Sequence, residues 1–145
     1  MTKDKSRLKP LTAKELAFST DDRAKEWCRE QNLIWHWCEY YDSRARRKRD
    51  LFGLFDMLYF ATGTPQMIGV QVTGGGNGRA REKKMLGKRQ PHEKDDKAGQ
   101  LRRMTLWAWL LCGNRAEVWD YRERRRGGVV VDVERVVLPL ESFDL

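Results

Sequence analysis

The chain has little of what builds metal clusters or disulfide frameworks. Three cysteines (Cys28, Cys38 and Cys112) and two histidines (His36 and His92) are scattered through 145 residues. No C-x-x-C pair occurs, so a structural zinc site is not expected. An odd, dispersed set of thiols fits buried side chains in a reducing cytosol better than a disulfide scaffold. No apolar run approaches the roughly 18 residues a membrane helix needs. The opening "MTKDKSRLKP" is polar and basic, unlike a signal peptide. A soluble, cytoplasmic protein without a membrane partner is expected. Two nucleotide fingerprints are missing as well. "GGGNGRAREKK", Gly74 to Lys84, offers no Gly-Lys-Ser/Thr ending, and the dinucleotide spacing fails at Arg79.

What is present is charge. Twenty-nine Lys and Arg against 21 Asp and Glu leave a net charge of +8, and the excess is clustered. That pattern points to a polyanionic partner, most often nucleic acid. With 40% hydrophobic residues the chain is not a disordered polymer. Its length suffices for one domain burying roughly 70% of its unfolded surface.

Residues 1–12 read as a basic flexible tail and 13–145 as one domain. Helix signals start at Ser19 or Thr20, with Asp21 and Asp22 in the first turn and Asn32 as the stop. Leu33–Tyr41 reads as a strand, "DSRARRKRD" as an exposed turn, Leu54–Ala61 as a second strand and Met67–Thr73 as a central third. "GGGNG" is loop. Helical composition resumes at "RAREKKML". Residues 86–100 read as a mobile polar insertion. Leu101, Met104, Ala108 and Leu111 recur at helical spacing before a stop at Gly113. Two last strands follow, joined at Gly127 and Gly128. The order αβββαββ predicts an α+β (α/β sandwich-like) fold, a mixed sheet of about five strands flanked by helices.

Asp56 sits inside an apolar strand, where it either faces outward by alternation or is a buried carboxylate, costly unless paired, hydrogen-bonded or bound to metal. Asp50 reads as a surface ion pair or turn cap, and Glu39 could converge on the same edge. Gln71 and Thr73 share one face of the third strand and need buried partners, either a core amide network or a hard cation that the Gln71 carbonyl helps to hold. The glycine-rich loop is either a phosphate nest or a plain connector. Basic clusters at Arg44–Arg49, Arg79–Lys84 and Arg122–Arg126 are each a solvated face or a grip on polyphosphate. Trp27, Trp107 and Trp119 are assigned to the core, while Trp35 and Trp37 are left open between core and base stacking.

The layout "DLFGLFDMLYF … IGVQVTGGGN", followed by "AEVWDYRER", resembles the PD-(D/E)XK nuclease superfamily, the restriction-endonuclease-like fold. It is similar to small phage and prophage proteins near that superfamily's Holliday-junction-resolvase-like and Mrr-like branches, over about residues 20–143. The resemblance makes Asp56 the first motif and Gln71-Val72-Thr73 the second. It departs from the pattern at Gln71, where an acid is usual, and at Thr73, where a catalytic Lys is usual. The implied activity is phosphodiester hydrolysis assisted by Mg²⁺ or Mn²⁺, with Asp56, Gln71, Asp50 and Glu39 around the ion. Asp56, Gln71, Thr73 and Lys83 are the implied catalytic positions, Lys83 or Lys84 reaching back for the missing Lys. Arg44, Arg46, Arg47, Lys48, Arg49, Asn77, Arg79, Arg81 and Lys84 would grip DNA, branched or duplex. Branched DNA would call for a homodimer presenting two matched sites. The alternative is a nuclease scaffold that binds nucleic acid, or a host protein, without cutting.

Overall fold

The computed structural model describes residues 2–10, 20–125 and 129–143. Helix α1, Thr20–Glu30, starts with Asp21 and Asp22 in its first turn, where acids favour the positive end of the helix dipole. It ends near Asn32, whose φ of 53° provides the left-handed stop. Ala24 and Cys28, four apart, are fully buried. Strand β2 spans Ile34–Trp37, and a ribbon of β3, Tyr40–Asp42, and β4, Arg47–Arg49, stands apart from the main sheet.

The expected strand over Leu33–Tyr41 is therefore two strands, and the basic loop is partly a strand. The break has a local cause: the amides of Cys38 and Glu39 both donate to the Asp56 carbonyl, at 2.7 and 3.1 Å, which bends the chain off the sheet. Strand β5 is Met57–Phe60, shorter than expected because Leu51–Phe55 forms a tight turn. Strand β6 is Met67–Gly74, helix α2 Gly78–Met85 and helix α3 Lys97–Leu111. Strands β7, Arg115–Arg125, and β8, Val129–Val137, follow. Their expected turn at Gly127 and Gly128 lies outside the described residues.

The fold is α+β, with a mixed sheet in the order β1 (Thr2–Pro10), β8, β7, β6, β5, β2. Among the described residues, only β6 and β7 pair in parallel; α2 and α3 form the crossover that a parallel pair requires. Strand β1, Thr2–Pro10, pairs antiparallel with β8 from Thr2↔Val137 to Pro10↔Val130. The segment expected as a flexible tail is thus an edge strand.

Alternation along β6 sorts the two faces. Ile68, Val70 and Val72 join Ala24, Cys28 and Trp119 in the core under α1. Gly69, Gln71 and Thr73 face the α2 and α3 side, where Leu54, Phe55, Met85, Leu106 and Val118 form a second core. Gly69 cannot carry a Cβ, because it would lie 2.7 Å from the Phe55 ring. Trp119 is fully buried, with Trp27 edge-on at 5.0 Å. Trp35 and Trp37 lie under Arg29 and Lys25 of α1, so they serve packing.

Two expectations about α3 are corrected. Leu101, Met104 and Leu111 are exposed, as is Ala108; the helix docks instead through Gly99, Arg102 and Leu106. A Cβ on Gly99 would meet the Gly87 carbonyl at 2.2 Å, and this close approach sets which side faces inward. Residues 86–100 are held in place rather than loose. Arg102 donates to both Glu93 oxygens, at 2.6 and 2.9 Å, and to the carbonyls of Lys84 and Lys88. Among the described residues, no helix is long and apolar enough to cross a membrane.

Candidate functional site

Asp56 immediately precedes β5, and its amide donates to the Val70 carbonyl at 2.8 Å. The backbone pairing puts its side chain beside Gln71 on β6. Asp56 Oδ2 accepts from Gln71 Nε2 at 2.7 Å and from the Val72 amide at 2.8 Å. Both side chains are almost fully buried, at 3% and 4% exposure. Gln71 Oε1 is left without a hydrogen-bond partner. A buried carbonyl oxygen without a donor is rare enough to need an explanation.

These groups line an open cleft of about 930 Å³. Glu39, Asp50, Thr73 and Asp21 line it too, below a rim that includes Arg47, Lys48, Arg49 and Arg81. Burial drives the Asp56 carboxyl up to about 8; the Val72 amide opposes the shift, and the neighbouring Glu39 and Asp50 add to it. Asp50 is raised by burial against the pull of Lys84 and accepts from the Gly53 amide, so it caps the turn, as one reading expected, and lines the cleft rather than forming a surface ion pair. Asp21 is likewise raised by burial and by Glu39. Clustered carboxyl groups with little water resist losing their protons together. A site with this surplus of negative potential suits a cation.

Lys84 lines the same cleft, and burial with Arg81 lowers its pKa while Asp50 and Asp56 raise it. Lys83, the other candidate for the missing lysine, is exposed and does not line the cleft. The helical turn that carries one residue inward carries its neighbour out. Arg44, Arg46 and Arg79 are exposed away from the cleft lining, whereas Asn77 lines it and donates to the Gly74 carbonyl at 2.9 Å. Lys48 is 3.7 Å from Glu39, and Arg49 is 2.6 Å from Asp42.

The chain matches no known protein family, curated protein or solved structure. The glycine-rich loop has a different role from the phosphate nest considered for it. Asp120, buried on β7, accepts from the Gly76 and Gly78 amides at 3.2 and 3.1 Å. The protein's own carboxylate occupies the concavity where an external phosphate would sit. The sequence did carry a signal for Asp120: an acid between Trp119 and Tyr121 in an apolar strand poses the same burial problem as Asp56. Asp21 was hidden because an acid in a first helical turn already has a local explanation.

A hard cation fits the donors on hand. Asp56 Oδ2 takes two bonds from β6, Gln71 Oε1 is unpartnered, and the Glu39 side chain is hydrogen-bonded to Asp56. Among the described residues, no three Asp, Glu, His or Cys groups form an ion cage by themselves. Such a cation would keep several waters, as Mg²⁺ characteristically does.

Proposed function

We propose that this protein is a metal-dependent DNA endonuclease or resolvase that hydrolyses phosphodiester bonds in the Asp56–Gln71 cleft. The observation that carries this reading is the buried Asp56–Gln71 pair, with Gln71 Oε1 unsatisfied, under a cationic rim. The sheet order supports it: an antiparallel β2–β5–β6 meander followed by a helical crossover to parallel β7 is what the resemblance to the PD-(D/E)XK superfamily implies.

Asp56, Gln71 and Glu39 would hold Mg²⁺ or Mn²⁺. Such an ion polarises the phosphodiester and lowers the pKa of a bound water. Asp56 is itself oriented by the Val72 amide, so its carboxyl group is fixed before substrate arrives. Lys84 supplies the cation that Thr73 does not, and its lowered pKa suits an amine that hands protons to and from water. The guanidinium groups of Arg47 and Arg81 hold the phosphate backbone without being able to accept a proton.

One observation favours the second reading, a nucleic-acid binder that does not cut: Gln71 gives the ion one negative charge fewer than an acid would. Incubating purified protein with supercoiled, linear and branched DNA in Mn²⁺ or EDTA separates the two. Cutting that needs Mn²⁺ and is lost in Asp56→Ala is the expected result. Salt-sensitive binding with no cutting in any metal establishes the second reading instead.

A further inference from the structure

Leu51–Leu54 forms a tight turn in which the Leu54 amide donates to the Leu51 carbonyl at 3.0 Å. Its two central residues, Phe52 and Gly53, have φ of 60° and 68°. Such a turn favours Asn-Gly or Gly-Gly, because a side chain in the left-handed region is strained. A bulky Phe there is an outlier, and it buries little in return, being 57% exposed. Phe52 lines the cleft, as does Tyr40 of β3, itself 58% exposed. Tyr41, the next residue, does not line it, as strand alternation requires.

Several other aromatic rings are already engaged: Trp27 with Trp119, Phe55 with Trp109, Trp35 and Trp37 with cations of α1. Among the described residues, neither Phe52 nor Tyr40 stacks on a ring or a cation. Two free aromatic faces thus stand in a cleft rimmed by Arg47, Lys48, Arg49 and Arg81. Cations tracking a backbone beside sequence-tolerant π-faces are the elements of single-strand recognition. In an intact duplex, by contrast, base faces are stacked on one another and out of reach.

We infer that Phe52, with Tyr40, is a stacking platform for unpaired bases, so that the cleft takes a nucleic-acid strand that is single or locally opened in preference to a fully paired duplex. This rests on the nucleic-acid reading of the cleft and adds the substrate's structural class. The backbone strain at Phe52 is retained because the ring contacts the ligand rather than the fold.

The test measures binding in EDTA of an end-labelled single-stranded oligonucleotide and of its blunt duplex. The strand carries an adenine analogue whose fluorescence is quenched by stacking. Phe52→Gly removes the ring and relieves the turn. It should leave the melting temperature unchanged or higher, weaken single-strand binding about tenfold to a hundredfold and abolish the quenching. Duplex binding should be unaffected. Phe52→Leu, which keeps apolar bulk, should also lose the quenching. Equal losses on both DNAs, a lower melting temperature in Phe52→Gly, or wild-type preference for duplex overturns the platform while leaving the nucleic-acid reading standing. Salt-independent binding, or none to either DNA by the wild type, overturns both.

Discussion

The behaviour of the cleft depends most on the protonation of Asp56. Its carboxyl is pushed from its ordinary 3.8 up to about 8 in the fold, by burial first and then by Glu39 and Asp50. Between those values the folded chain holds a proton that the unfolded chain has released. The stability contributed by that proton is therefore complete below about pH 4 and is lost as pH rises through about 8. In EDTA, the melting temperature should fall over this window in the wild type. Asp56→Asn, which cannot ionise, should flatten that decline and be the more stable protein at pH 9. Equal slopes for the two proteins would mean that Asp56 is ionised throughout. The neighbouring lysines give a second residue-level prediction. Lys84→Ala should reduce DNA cutting by roughly 10²–10³-fold, the range for losing one stabilising charge, whereas Lys83→Ala should leave it near wild type. Comparing single-turnover rates at saturating DNA distinguishes this from weaker binding.

At the level of elements, the link between the glycine loop and β7 positions Lys84. The Asp120 carboxylate satisfies two amides at the start of α2, where the first amides have no helical partner. Further along, the Lys84 carbonyl accepts from Arg102 of α3 at 2.9 Å, so α2 is held at both ends. Asp120→Ala should cost roughly 1–3 kcal/mol, the penalty for leaving the buried Gly78 amide unsatisfied. Hydrogen exchange should accelerate across Gly74–Arg81 before the rest of the sheet opens. Unchanged protection there would show that the loop holds its shape without the carboxylate. The turn at Leu51–Leu54 contrasts with this loop. Asp120 stabilises one irregular segment, whereas Phe52 leaves the other strained.

For the whole molecule, what matters is how a net charge of +8 is distributed. Four cations rim the cleft, but Lys48 and Arg49 are each within ion-pair distance of an acid. Between two and four phosphates should therefore be neutralised. Single-strand affinity should fall with salt on a log–log slope of roughly 1.4 to 2.8, at about 0.7 for each phosphate. A slope near zero, measured by fluorescence anisotropy across potassium chloride concentrations, would exclude a backbone-gripping cleft.

The sequence by itself determined the alternation of β6, the helix start at Asp21 and Asp22, and the anomaly of a carboxylate at 56 and an amide at 71 among apolar neighbours. All of these follow from local periodicity and from the cost of burying polar groups, which act wherever the chain folds. Only the tertiary structure decided that Lys84 and not Lys83 reaches the acids. It alone decided that Asp120 fills the glycine loop, that α3 turns Leu101 and Met104 outward, and that residues 2–10 close the sheet edge. Those outcomes depend on contacts between segments far apart in sequence. Gly99 against Gly87, Asp120 under Gly78 and β1 along β8 each fix a rotation or register that no local pattern specifies.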